Sequence, residues 1–207
     1  MSRTERADLC DLALQVGEDE PTLCGDWTVK DLVVHLLVRE GSPAALGITV
    51  PQLSKVTDLA SNRIGTKDFR VLVERLRTGP PIYSPFRVSK IDKLLNTLEY
   101  FVHHEDIRRA QPTWEPRTLS QRQEKVLWKM ISVAGKRMVR SAKVAVVLEH
   151  SDTGERAVLK QSESSVVVRG LPGEIALFLY GRKAQARVEL DGTDADIAAL
   201  TGTDLGF

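Results

Sequence analysis

The sequence predicts a mainly α-helical protein that ends in a small α+β part. Apolar residues recur at helical spacing through the first two-thirds of the chain, as at Leu9, Leu12, Ala13 and Val16. After about residue 140 the pattern changes to short runs rich in valine, separated by turn residues. We therefore expect two domains, a helical bundle over residues 1–140 and a small α+β domain over residues 141–207.

Start and stop signals delimit the predicted helices. The first helix covers about residues 3–16 and ends at Gly17. The second begins at Trp27-Thr28, because Thr28 is a good N-cap residue and Asp31 suits the first turn. Further helices are expected after Pro51 and over residues 66–77, 89–109 and 119–139, with a loop over residues 82–88.

The C-terminal part has strand, turn and helix signals in alternation. Residues 143–149 and 165–169 are β-rich, and residues 184–190 alternate polar and apolar side chains with a period of two. Asp152-Thr-Gly154 is a hairpin turn signal. A short helix is expected over residues 172–180, and a terminal helix is expected to be capped by Asp194.

Composition excludes several classes of protein. The net charge of +1 argues against a dedicated nucleic-acid binder, which normally carries a basic stripe. The start, MSRTERADLC, has no apolar signal core, and no run of about 18 apolar residues occurs. Cys10 and Cys24 form neither a CxxC pattern nor a disulfide framework. We expect a soluble cytoplasmic protein with reduced thiols and no membrane partner.

An unusual cluster of ionisable residues lies in LEYFVHHEDIRRA, residues 98–110. On a helix, Glu99, His103 and Asp106 fall within an arc of about 60°, on the same face as apolar neighbours. His104 points to one side, where we expect it at the polar rim. A carboxylate in a helical core costs several kcal/mol unless it is compensated (roughly, by transfer arguments).

Two arrangements would compensate the buried charge of Glu99. A hydrogen bond between Glu99 and His103 would satisfy both side chains without a metal, and such spacings arise often by chance. Alternatively, Glu at i and His at i+4 can bind one cation. His35, in WTVKDLVVHLLV, favours the second interpretation, since facing helices of a bundle bring side chains to one level. Taken alone, a histidine there is more often a satisfied core residue than a ligand.

The expected metal site is therefore His35, Glu99 and His103, with Asp106 orienting His103 or a metal-bound water. Three protein ligands leave one position for water or substrate, which is the catalytic pattern. Zinc is favoured, although two histidines and one carboxylate also describe non-haem iron sites. Cys24 is a possible fourth ligand or nucleophile, but an inert cysteine is the simpler interpretation.

These residues resemble a known family. The stretch from Trp27 to Leu36 and the pattern Glu99-x3-His103-x2-Asp106 resemble the DinB-like superfamily, and within it the mycothiol-dependent maleylpyruvate isomerase group of actinobacteria. Ser84-Pro85-Phe86 through EYFVHHEDIRRAQP is similar to a subgroup described only as metal-binding proteins. The resemblance implies an up-down four-helix bundle, a His/Glu/His divalent site and a thiol cofactor at the open position.

The resemblance also extends to the C-terminal third, where GEIALFLYGRKAQ is similar to a sterol-carrier-like domain. It implies an arginine near the site, for which Arg63 is a candidate. We thus expect a zinc-dependent or other divalent-metal enzyme, an isomerase or transferase that uses a mycothiol-type thiol and a small-molecule substrate, as a monomer or homodimer. The alternatives are a zinc-water hydrolase and a non-catalytic, metal-stabilised binding module.

Overall fold

The structure is a computed structural model that describes residues 2–41, 54–79 and 90–206. Within these ranges the chain is mainly helical and has one four-stranded sheet. The helices are α1 (Ser2–Val16), α2 (Val29–Gly41), α3 (Ser54–Gly65), α4 (Phe69–Thr78), α5 (Lys90–Arg109), α6 (Gln121–Met138), α7 (Pro172–Leu179) and α8 (Asp194–Thr201). The strands are β1 (Ala145–His150), β2 (Arg156–Lys160), β3 (Ser165–Gly170) and β4 (Glu189–Asp191).

The chain forms two compact units, residues 1–116 and residues 117–207. The sequence analysis predicted a domain boundary at residue 140, after α6, whereas the structure groups α6 with the second unit. The reason is packing, because α6 lies against α7 and β2. Gly135 makes this approach possible, since a Cβ atom there would lie 2.7 Å from Leu159 Cδ1 of β2 and 3.2 Å from Leu179 Cδ1 of α7.

The first unit is built around α1, which packs against α4 and α5, while α2 packs against α3 and α4. Most of its core residues are buried aliphatic side chains at helical spacing, and the fully buried ones include Leu9, Leu32, Leu36, Leu72 and Leu76. Burying each of these side chains contributes roughly 1.5–3 kcal/mol relative to leaving it exposed. Because α1 packs against α5, and both α1 and α2 pack against α4, this apolar packing determines where the two helices that carry the candidate ligands lie.

The cap predicted for α2 is confirmed. The Asp31 backbone N–H donates to Thr28 Oγ1 over 3.3 Å, and the Thr28 backbone N–H donates to Asp31 Oδ2 over 3.0 Å. This reciprocal pair satisfies two backbone donors at the helix start and determines where the helix begins. The register of His35 within α2 follows from that start.

The second unit contains a sheet in the order β2-β1-β3-β4. Strands β1 and β2 are antiparallel and joined by the predicted hairpin turn, in which Gly154 has φ of 69°. Strand β1 is parallel to β3, and β3 is antiparallel to β4. Helices α7 and α8 both contact β3, and Val166 and Val168 of that strand are fully buried.

Two predictions for this unit were wrong in detail. Of the alternating stretch 184–190, only Glu189 and Leu190 belong to a strand, β4, because the residues before it include a turn in which the Ala186 N–H donates to the Arg182 carbonyl. The terminal helix is capped by Thr193, whose side chain accepts from the Asp196 N–H, and Asp194 is its first residue. The expected loop at residues 82–88 lies outside the described residues.

The predicted class, mainly helical with a small sheet, is confirmed. The up-down four-helix arrangement and the sterol-carrier-like character of the C-terminal part stay predictions. No helix in the described part of the chain combines the length and the apolar composition needed to cross a membrane.

Candidate metal centre

Helix α5 carries three ionisable side chains on one face, at the spacing that the sequence indicated. His103 lies between two carboxylates, with its Nε2 atom 3.5 Å from Glu99 Oε2 and its Nδ1 atom 2.9 Å from Asp106 Oδ2. The Asp106 side chain is fully buried, and the Glu99 and His103 side chains are only 13% and 10% exposed. Each ring nitrogen of His103 therefore has a carboxylate of its own.

Helix α2 brings a second histidine to the same place. The ring of His35 meets the ring of His103 edge-on, with centroids 5.5 Å apart and an interplanar angle of 73°. Trp27, just before α2, covers His35 from another side, with ring centroids 4.9 Å apart. The ligand atoms of His35, Glu99 and His103 all lie within 4.8 Å of one another. The structure thus brings together the three residues that the sequence nominated from two separate helices.

The donor set can be compared with what a cation requires. Two ligands about 2.1 Å from a tetrahedral zinc ion lie about 3.4 Å apart. The 3.5 Å between Glu99 Oε2 and His103 Nε2 is close to that separation. Two imidazoles and one carboxylate are also a set that zinc, iron and other divalent first-row ions accept. The residues fit a divalent cation, and their role as ligands stays a prediction.

His35 and His103 have different protonation states in this site. Burial, together with the nearby charge of His103, lowers the pKa of His35 to about 3, so that its ring is neutral at physiological pH. Burial also disfavours a charged His103, but hydrogen bonds with Asp106, Cys24 and Glu99 outweigh it and raise the pKa of His103 well above its ordinary value. One imidazole thus offers a free lone pair, and the other carries a proton that a cation could replace.

Glu99 is ionised in this arrangement. Burial raises its pKa, but the hydrogen bond from His103 and the charge of Arg39 outweigh burial and lower the pKa of Glu99 to about 2. The carboxylate therefore presents a full negative charge to any cation placed between the helices, which is the protonation state that metal binding needs.

The opposite side of His103 faces a loop rather than a helix. Asp106 Oδ2 accepts hydrogen bonds from His103 Nδ1 and from the Cys24 thiol, whose Sγ atom lies 3.1 Å away. Cys24 Sγ is also 3.8 Å from His103 Nδ1. The sequence favoured an inert cysteine at this position, since no base is adjacent along the chain. The structure instead places the thiol against the carboxylate that contacts a predicted ligand.

An arginine that the sequence analysis did not nominate contacts this cluster. Arg39, one turn after His35 on α2, has its Nε atom 3.4 Å from Glu99 Oε2. Arg63 is exposed on the last turn of α3, where its carbonyl accepts from Thr66 Oγ1. The spacing of four residues between His35 and Arg39 was available in the sequence and is the signal that was missed.

His104 does not lie at a polar rim, and that prediction was wrong. Its side chain is 8% exposed, and its Nδ1 atom lies 3.3 Å from Glu5 Oε2 on α1. Because α1 packs along α5, the side of the helix that the sequence assigned to the rim is buried as well. The two adjacent histidines thus serve different contacts, His103 at the candidate metal centre and His104 between α5 and α1.

Two solved structures share this fold over most of their length. A crystal structure of the mycothiol-dependent maleylpyruvate isomerase matches with a TM-score of 0.58 and 15% sequence identity, covering 92% of this chain and 88% of that chain. A histidine-to-alanine mutant of that isomerase matches with the same TM-score and coverage at 13% identity. The likeness is one of fold.

Sequence comparisons add nothing to this likeness. No family model matches the chain, and no curated protein matches it. The resemblance to the isomerase group is therefore confirmed as a distant relationship of fold. Membership of the actinobacterial metal-binding subgroup stays a prediction.

Proposed function

We propose that the first unit binds one divalent cation through His35, Glu99 and His103, and that the protein is a metal-dependent enzyme. Zinc is the expected ion. The observation that carries the proposal is the convergence of these three ligand atoms, from α2 and α5, within 4.8 Å of one another. A hydrogen bond between Glu99 and His103 would account for those two residues, but it does not involve His35, whose ring lies against the ring of His103.

Each residue of the cluster has a distinct part in this proposal. His35 donates a ring lone pair, because its low pKa keeps it neutral. Glu99 supplies the negative charge. His103 gives up the proton on Nε2 and keeps the proton on Nδ1, which donates to Asp106. The carboxylate thereby fixes the tautomer in which Nε2 is the ligand atom, as outer-shell carboxylates do at histidine metal sites.

The cation, when bound, would supply positive charge that lowers the pKa of a thiol or water in the position left open by three protein ligands. We propose a low-molecular-weight thiol of the mycothiol type as the molecule that occupies this position. The fold likeness to an enzyme named as mycothiol-dependent supports a thiol over water. The reaction class is then isomerisation or S-transfer on a small electrophile. Arg63 stays a candidate for contact with an acidic substrate, with Asp106 as the orienting carboxylate.

Metal analysis of untagged protein, prepared with zinc present and dialysed, tests the site. The expected result is one divalent ion per chain, lost in His35→Ala and His103→Ala. His104→Gln is the matched control, because that histidine is adjacent on α5 and contacts Glu5 instead. A wild-type protein with almost no bound metal would leave the Glu99–His103 hydrogen bond as the better account.

Activity assays on the loaded protein separate the possible functions. Turnover of an electrophile panel that requires an added low-molecular-weight thiol supports the proposed enzyme. Ester or amide cleavage without thiol would identify a hydrolase instead. If His103→Ala lowers the melting temperature and no reaction is found with either panel, the metal-stabilised binding module is the better description.

A further inference from the structure

We propose that Cys24 is a positioning residue of the metal centre, whose thiol holds the Asp106 carboxylate that in turn orients the ring of His103. This inference rests on the metal site proposed above. It concerns a hydrogen-bonded chain of three side chains: Cys24 Sγ lies 3.1 Å from Asp106 Oδ2, and Asp106 Oδ2 lies 2.9 Å from His103 Nδ1. The far end of this series of hydrogen bonds is the Nε2 atom of His103, which faces Glu99.

The same oxygen of Asp106 accepts both hydrogen bonds. A carboxylate can rotate about its terminal torsion, whose energy profile is broad. Two donors that approach Oδ2 from different directions restrict that rotation, and they hold the oxygen in line with the Nδ1–H bond of His103. Because Asp106 is fully buried, its contacts with protein groups must hold its orientation.

The backbone fixes the position of the thiol. The Leu23 N–H donates to the Asp106 carbonyl over 3.1 Å, which joins the loop before α2 directly to α5. The Thr22 hydroxyl donates to the Trp27 carbonyl over 2.8 Å and accepts from the Cys24 N–H over 3.2 Å. Cys24 is therefore placed against Asp106 by contacts made on both sides of it in the chain.

Direct ligation by Cys24 is the competing interpretation. Cys24, His103 and Asp106 also form a group whose ligand atoms are close enough to hold an ion. That arrangement would use Nδ1 of His103, whereas the site with His35 and Glu99 uses Nε2. A neutral imidazole has only one acceptor nitrogen, so that it ligates through one of these atoms and donates through the other. We favour the positioning role because ligation through Nε2 lets Nδ1 keep its 2.9 Å hydrogen bond to Asp106, whereas ligation through Nδ1 would break it.

The test measures Co²⁺ and Zn²⁺ affinity by competition with a chromophoric chelator, in the full chain. Cys24→Ala is expected to weaken binding about 10-fold, the lower end of the range for outer-shell partners, because the thiol lies closer to Asp106, at 3.1 Å, than to the ligand His103, at 3.8 Å. Cys24→Ser keeps a donor of similar size and is expected to restore affinity to within about 3-fold of wild type. Cys10→Ala is the matched control, since that thiol donates to the Val73 carbonyl.

A double-mutant cycle separates positioning from a general loss of packing. In an Asp106→Ala background, Cys24→Ala is expected to cause a much smaller further loss of affinity, because the 3.1 Å contact of the thiol with Asp106 is already gone and only its 3.8 Å contact with His103 remains. The Co²⁺ form of the wild type is expected to lack a sulfur-to-cobalt charge-transfer band.

Three results would overturn the inference. The first is a metal affinity that is unchanged in Cys24→Ala. The second is a loss of affinity caused by Cys24→Ala that is as large in the Asp106→Ala background as in the wild type. The third is a sulfur-to-cobalt charge-transfer band in the wild type that Cys24→Ala abolishes, which would make Cys24 a ligand. A wild-type chain that binds no Co²⁺ or Zn²⁺ would instead refute the proposed metal site, so the two failures are distinguishable.

Discussion

The guanidinium of Arg39 lies 3.4 Å, from Nε to Oε2, from the carboxylate of Glu99. A predicted metal ligand thus has a cationic neighbour that approaches the same oxygen as His103 does. Because both side chains are largely buried, at 17% and 13% exposure, solvent screens this contact only partly.

Replacing Arg39 by glutamine is expected to destabilise the metal-free protein by about 1–2 kcal/mol, between the values for exposed and buried ion pairs, because Glu99 loses an oppositely charged partner. The same change is expected to increase zinc affinity, since a positive charge beside the cation is removed. Urea unfolding with and without zinc measures both effects. Arg63→Gln is the control, because Arg63 is exposed. A lower zinc affinity in Arg39→Gln would show instead that Arg39 holds Glu99 in position for the metal.

The buried thiol of Cys10 is expected to make the stability of the folded protein depend on pH. Burial raises the pKa of Cys10 from its ordinary 9.0 to about 12. The unfolded chain therefore releases this proton before the folded chain does. The resulting stability is fully present below pH 9 and is lost as the pH rises towards 12, with a slope of at most about 1.4 kcal/mol per pH unit.

Urea unfolding at several pH values between 8 and 11 measures this effect. Wild-type protein is expected to lose stability more steeply above pH 9 than Cys10→Ala does. Comparison of the two slopes removes the contribution of other groups that titrate in the same range, such as Tyr100, whose pKa burial also raises. Identical slopes for the two proteins would refute the assignment.

The close approach at Gly135 gives a prediction on the second unit. Gly135→Val places side-chain atoms where Leu159 and Leu179 already lie, and it is expected to destabilise the protein by about 1–3 kcal/mol, as overpacking does. Val133→Ala on the same helix is the control, because Val133 is 70% exposed and surface changes usually stay within about 0.5 kcal/mol. Thermal unfolding measures both variants. Equal stability of the two would indicate that the Leu159 side chain moves aside without cost.

Local features were predictable wherever neighbouring residues along the chain decide them. The start of α2 follows from Thr28 and Asp31, which bond to each other three residues apart. The shared face of Glu99, His103 and Asp106 follows from helix geometry alone. The extent of the last strand could not be assigned from the alternating period of residues 184–190, because pairing with β3 depends on a partner distant in sequence, and only residues 189–191 pair with it.

The sequence by itself determined the residue types of the candidate site and their positions on α2 and α5, because helical periodicity is a local property. Tertiary packing alone decided which groups meet there. Nothing within a few residues of Cys24 indicates that its thiol contacts Asp106, 82 residues away, or that His104 contacts Glu5 on α1. Those contacts depend on how α1 and the loop before α2 pack against α5, where long-range burial of apolar surface outweighs local preference.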